Sequence, residues 1–72
     1  MTLDQGITGH TYIVEALHLP QKMEKRLQAL GMITGTKVSI LNNKNGGTLI
    51  IQMRSTRLAL GKGISSNIEV RS

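Results

Sequence analysis

The sequence predicts a mainly β chain: a small barrel of five strands with one α-helix inserted between strands 1 and 2. Two observations predict it. Short apolar runs, each bounded by Gly, Asn, Ser or Pro, recur along the 72 residues. Between the first and second of them the apolar period changes from strand-like to helical and then stops at a glycine. Strands this short make poor flat sheets, and closing them into a barrel removes exposed edges. The whole chain, residues 1–72, is expected to form one domain.

Each element has its own warrant. Gly6-Ile7-Thr8-Gly9 reads as a turn, and His10 to Leu17, rich in β-branched residues, as the first strand. Pro20 suits a first helical position, where a missing N–H costs nothing. Met23, Leu27 and Leu30 stand at i, i+4 and i+7 and form one apolar stripe, so the helix is expected over residues 20–30. Gly31 stands where a left-handed C-terminal cap belongs. Gly35-Thr36 turns the chain into a second strand, Lys37–Leu41, with Val38 and Ile40 on one face. Asn45-Gly46 is a strong hairpin signal, and Thr48–Met53 is the returning strand. Arg54-Ser55 makes a tight corner before a fourth strand, Thr56–Leu60. Residues 61–66 read as a polar turn with room for one 3₁₀ turn, and Asn67–Arg71 alternates cleanly as the last strand. Leu27, Leu30 and Met32 are expected in the core, with Met32 or Ile33 alternatively presented to a partner.

Composition excludes several classes of function. The chain has no cysteine, so neither a disulfide nor a thiolate zinc site supports a fold that buries only about 60% of its unfolded surface. Nine Lys/Arg against four Asp/Glu give +5, which favours an acidic partner. Tyr12 is the only Phe, Trp or Tyr. Barrels that bind single-stranded nucleic acid stack bases on rings, and barrels that bind Pro-rich peptides use aromatic grooves, so both are poorly served. The start of the chain lacks the basic and apolar regions of a signal peptide, and no run approaches the ~20 apolar residues of a membrane span. A cytoplasmic protein with no direct membrane insertion is expected.

The residues offer no catalytic set. There is no Ser/His/Asp cluster, no close carboxylate pair and no phosphate loop, since Gly61-x-Gly63 lacks the spacing and the strand–helix setting. A ferrous ion wants imidazole and carboxylate ligands, and His10, His18, Asp4, Glu15, Glu24 and Glu69 are available. His10 and His18 flank the first strand, about 26 Å apart at ~3.3 Å per residue, too far to share a metal. The expectation is therefore no enzyme, no metal site and no cofactor. Charge nominates surfaces instead. Lys22, Lys25 and Arg26 share a helix face that either meets an acidic partner or simply complements the helix dipole and stays solvated. Arg54, Arg57 and Lys62 would form a second basic patch if the barrel brings them together.

One arrangement goes further. A helix ending in Arg26-Leu27-x-x-Leu30-Gly31-Met32, then Gly35 and Val38-x-Ile40, a hairpin, Leu58-Ala59-Leu60 and Ile68-x-Val70 resembles the FeoA family, from about Gly6 to Val70. These are small SH3-like barrels of bacterial ferrous iron uptake. The resemblance implies a cytosolic accessory protein that partners the membrane transporter FeoB, which carries a cytosolic G-protein domain. The same barrel occurs as a C-terminal domain of iron-dependent repressors, so a detached regulatory module is one alternative, and a basic nucleic-acid-binding barrel is another, although no nucleic acid is expected. Two stretches depart from the family pattern. The hairpin, often proline- and aspartate-bearing, here reads Asn45-Gly46-Gly47, and the segment after Leu60, usually basic and helix-forming, carries Gly61 and Gly63. The sequence carries no signal for an oligomeric state.

Overall fold

The computed structural model describes residues 1–44 and 47–72. A 3₁₀ turn at Leu3–Gln5 is followed by β1 (Thr11–Leu17), α1 (Gln21–Ala29), β2 (Lys37–Asn43), β3 (Leu49–Met53), β4 (Thr56–Leu60), a four-residue α2 (Lys62–Ser65) and β5 (Ile68–Arg71). The five strands lie in the order β4-β3-β2-β1-β5, antiparallel throughout. This is the SH3-like barrel with one helix between β1 and β2 that the sequence predicts. The Asn45-Gly46 turn signal lies outside the described residues. No helix among the described residues is long and apolar enough to cross a membrane.

The sheet can wrap a single core because two bulges bend it. Glu15 is the extra residue where β1 meets β5, since Val14 pairs with Val70 and Ala16 with Glu69. Leu41 is the extra residue of β2, since Ile40 pairs with Ile51 and Asn42 with Ile50. A bulge leaves one residue unpaired, bends the strand and increases its twist. The inward positions of all five strands then meet in one cluster: Tyr12 and Val14, Val38 and Ile40, Leu49, Ile51 and Met53, Leu60, and Ile68 and Val70, joined by Leu3, Leu27 and Met32. With almost no aromatic side chains, methionine and branched aliphatics fill the volume.

Three features depart from the sequence reading. Leu3 is fully buried by a 3₁₀ turn that no periodicity announced, and Met1-Thr2 pairs along the outer side of β5, through Val70 N–H to Met1 O (2.8 Å) and a Thr2–Glu69 bridge. The segment after Leu60 forms a turn of α-helix rather than a 3₁₀ turn, despite its two glycines. Leu30, expected in the core, is 46% exposed, while Met32 takes the core position expected of it, fully buried, and is not available as the alternative partner contact.

The helix terminus explains that last exchange. Met32 N–H donates to Leu27 O (3.0 Å) and Gly31 N–H to Gln28 O (3.0 Å), the paired bonds of a Schellman motif. Gly31 turns the chain at φ 108°, a region costly for any residue with a Cβ. The reversal tucks Met32 beneath the helix, beside Leu27 in the core cluster, and leaves Leu30 outside. Leu27 is the only buried residue of α1, with Met23 partly buried against the core, so the helix is docked chiefly through Leu27. Leu27→Ala is expected to cost about 2–4 kcal/mol in urea unfolding, and Leu30→Ala to stay within ~0.5 kcal/mol of wild type. Equal effects would refute this packing.

Candidate docking face

The connection from helix to sheet is held by one buried hydroxyl. Thr36, 7% exposed, donates from Oγ1 to Gly31 O (3.0 Å) and accepts at the same atom from Ile33 N–H (3.2 Å). Thr36 N–H closes the turn on Ile33 O (3.0 Å). Two further bonds fasten the turn to β1: Gly35 N–H to Val14 O (2.8 Å) and Val14 N–H to Thr36 O (2.9 Å). Sequence reasoning read Thr36 only as a turn residue. Its spacing from Gly31 gives no sign that the two meet.

That rigid connection fixes what lies outside it. Lys22, Arg26 and Leu30 follow one another at four-residue steps along a single helical row, with Lys25 beside them, and all four are exposed. Ile33, 48% exposed, stands just beyond the glycine. The result is a basic row that ends in two apolar side chains. The described charged contacts lie elsewhere: Arg71 with Glu15, and His18, charged only when protonated, with Glu69, each at 3.9 Å and well exposed. The cations of the row are therefore available to an external partner.

The second expected basic patch does not assemble. Arg54 sits at the β3–β4 corner in a left-handed conformation (φ 53°), and Arg57 pairs in register with Gln52 nearby. Lys62 follows the other end of β4, beyond Leu60, which pairs with Leu49. An extended strand separates the groups it joins, so Lys62 is carried away from the two arginines. It joins Lys44 instead, on a cavity of about 250 Å³ that Asp4, Asn43, Gly47, Leu49 and Ser65 also line. Lys44, Asn43 and Ser65 carried no sequence signal as a group. They become neighbours only when the β2–β3 hairpin, the 3₁₀ turn and α2 converge.

Among the described residues, no three of His, Asp, Glu or Cys come close enough to hold a metal ion. His10 instead stacks on Tyr12 at 6.5 Å between ring centroids. Tyr12 itself is buried and accepts a bond from Ile7 N–H at its hydroxyl (2.9 Å), so it offers no face for a stacked base.

Fold and face define a class: a small SH3-like barrel whose helix-to-sheet junction displays a mixed basic and apolar surface. The FeoA domain model matches residues 1–72, and the chain belongs to the FeoA family, accessory domains linked to ferrous iron transport. Solved structures agree. An iron uptake regulatory protein (FeoA) is 25% identical with a TM-score of 0.88, the match covering 99% of this chain and 95% of that one. The zinc-complexed FeoA of Stenotrophomonas maltophilia, described as a prokaryotic SH3 domain protein and put forward as a ferrous iron transport activating factor, is 27% identical with a TM-score of 0.84, covering 97% and 88%. A manganese-dependent transcriptional repressor shares the fold at 19% identity and a TM-score of 0.89, this chain spanning 41% of its length. No curated protein sequence matches the chain.

Two substitutions test the polar interior. Thr36→Val, close in shape, strips partners from Gly31 O and Ile33 N–H and is expected to destabilise by about 1–3 kcal/mol in urea unfolding. Ser65 is 1% exposed, and its hydroxyl has no hydrogen-bond partner among the described residues. Ser65→Ala is therefore expected to stabilise the protein by about 1 kcal/mol, read as a raised Tm, because it removes an unsatisfied buried group.

Proposed function

We propose that this protein is a cytoplasmic accessory protein of ferrous iron uptake that docks on the cytosolic part of the FeoB transporter and alters its assembly, nucleotide turnover or gating. The observation that carries the reading is the basic row that ends in exposed Leu30 and Ile33 on a rigid junction. Large aliphatic side chains left half in water, rimmed by Lys22, Lys25 and Arg26, suit a partner surface that is apolar at its centre and acidic at its rim. The net charge of +5 favours approach to such a surface. Family membership supplies the pathway, and an accessory role accords with the lack of any catalytic set in the sequence. A nucleic-acid-binding role draws support only from the charge, since the one tyrosine is committed to the core.

The test is capture of this protein by the cognate FeoB cytosolic domain and by the full transporter, each with and without guanine nucleotide. Wild-type protein is expected to bind. Leu30→Asp and Ile33→Asp are expected to weaken binding about tenfold or more, because each places a carboxylate within an apolar contact. Ile7→Asp, at a 60% exposed position outside the face, is expected to bind as wild type. Absence of binding in every condition would sink the transporter reading. Equal binding by all variants would move the contact to another face.

A further inference from the structure

The two edges of the sheet differ, and the docking proposal uses neither. The outer edge of β5 is covered, because Met1 and Thr2 run along it through the bond from Val70 N–H to Met1 O (2.8 Å) and the Thr2–Glu69 bridge. β4 is the other edge, and β3 is its one neighbouring strand. Register shows which of its backbone groups point away from the sheet. Hydrogen bonding alternates along an antiparallel strand, so a residue that bonds one neighbour turns away from the other. Ile40 N–H donates to His10 O (3.0 Å), so β2 turns Ile40 toward β1 and Ser39 toward its partner Gln52 on β3. Ile51 and Leu49 then bond Leu58 and Leu60 on β4. Arg57 and Ala59 are left facing outward, as is Gly61, which prolongs the strand in extended conformation. Among the described residues, the N–H groups of these three and the carbonyls of Arg57 and Ala59 have no hydrogen-bond partner.

The edge is open as well as unpaired. Arg57 and Ala59 are exposed, and a Cβ on Gly61 would meet nothing within 4 Å. The β3–β4 register is unbroken from Leu49–Leu60 to Met53–Thr56, so β4 has neither the bulge nor the proline that commonly blunts an edge. Leu58 packs on the core yet is only half-buried, which leaves apolar surface for a further strand to cover.

Charge specifies that strand. Arg54 and Arg57 stand toward the turn end of β4, and Lys62 follows its other end. These cations make no compact patch, but they line an edge about 17 Å long at ~3.3 Å per residue. From Lys25 to Ile68 the sequence holds no Asp or Glu, and at the far end Asp4 shares the cavity that Lys62 lines. A second copy is a poor occupant. Two β4 strands paired antiparallel about Leu58 would set their Arg57 side chains on one face, a single diagonal step apart.

We propose that the outer edge of β4 accepts an extended acidic segment of a partner polypeptide as a sixth strand, its backbone bonded to Arg57, Ala59 and Gly61. Side chains of a hydrogen-bonded pair share a face, so the segment's residue opposite Arg57 lies on the outer face and is the place for a carboxylate. The residues between lie over Leu58 and are apolar. This edge is separate from the helix face, and a failed capture by the transporter would leave the proposal standing.

The test is a titration of the full ¹⁵N-labelled chain with a blocked octapeptide of alternating Glu and Val, followed by amide shifts and hydrogen exchange. Saturable shifts are expected at residues 57, 59 and 61, with exchange of those amides slowed about tenfold or more near saturation. The matching Lys–Val peptide should bind about tenfold more weakly. Methylating the backbone nitrogens of the Glu residues should abolish binding, because they face β4, whereas methylating those of the Val residues should leave it. Arg57→Glu should reverse the preference between the two peptides. Ala59→Pro, which removes an outward N–H at an edge position that tolerates proline, should keep the Tm and lose the peptide. The proposal is overturned if no saturable shifts occur at the edge, if Lys–Val binds as tightly, if the two methylated peptides behave alike, or if the shifts follow Lys22 to Ile33. Protection that rises with protein concentration alone would assign the edge to a second copy and overturn it as well.

Discussion

Between Leu27 and Thr36 the chain has to end a helix, cross to the sheet and enter a strand without leaving buried backbone groups unpaired. A short helix over a small core gives little room for error, because an unmet N–H or carbonyl there costs about as much as a whole buried aliphatic side chain contributes. The chain meets the constraint with a glycine that reverses direction at φ 108° and a threonine hydroxyl that serves Gly31 O and Ile33 N–H together. Two bonds to Val14 then join the junction to β1. The helix has one buried side chain of its own, with Met23 partly buried against the core, so its position depends on this polar clamp as well as on hydrophobic contact.

The same clamp produces the surface on which the proposed function depends. Reversal at Gly31 sends Met32 inward, and its neighbours Leu30 and Ile33 go outward in consequence. They are exposed because the cap leaves them no inward path, and the cap also keeps them at fixed positions relative to Lys22 and Arg26. A preorganised face loses little conformational entropy on binding. Of the residues that mark the family, Leu27, Gly31 and Met32 are structural, whereas Arg26 and Leu30 lie on the exposed face proposed for a partner.

The cavity beside α2 shows a different compromise. Three separated stretches contribute to it, and their convergence buries Ser65 with no partner for its hydroxyl among the described residues. A stability-optimised barrel would carry alanine there.

The architecture was legible because its signals are local. Turn residues, alternating strands, a helical stripe and a glycine stop each act over a few positions, and together they set the five strands, the helix α1 and their order. Even so, Leu30 was misread: helical periodicity extends its stripe to the last turn, whereas the direction of the chain beyond Gly31 decides which residue is buried. Tertiary structure alone decided the rest. The bulges at Glu15 and Leu41 arise from mismatch between partner strands, which neither strand reveals by itself. Lys62 was grouped with Arg54 and Arg57 by nearness in sequence, yet an extended β4 carried it to Lys44, Asn43 and Ser65. By itself the sequence determined the five strands, the helix α1 and their order, through interactions spanning a few residues. Which side chains share a surface or a cavity depended on strand register and on the bending of the sheet, and both are properties of the closed fold.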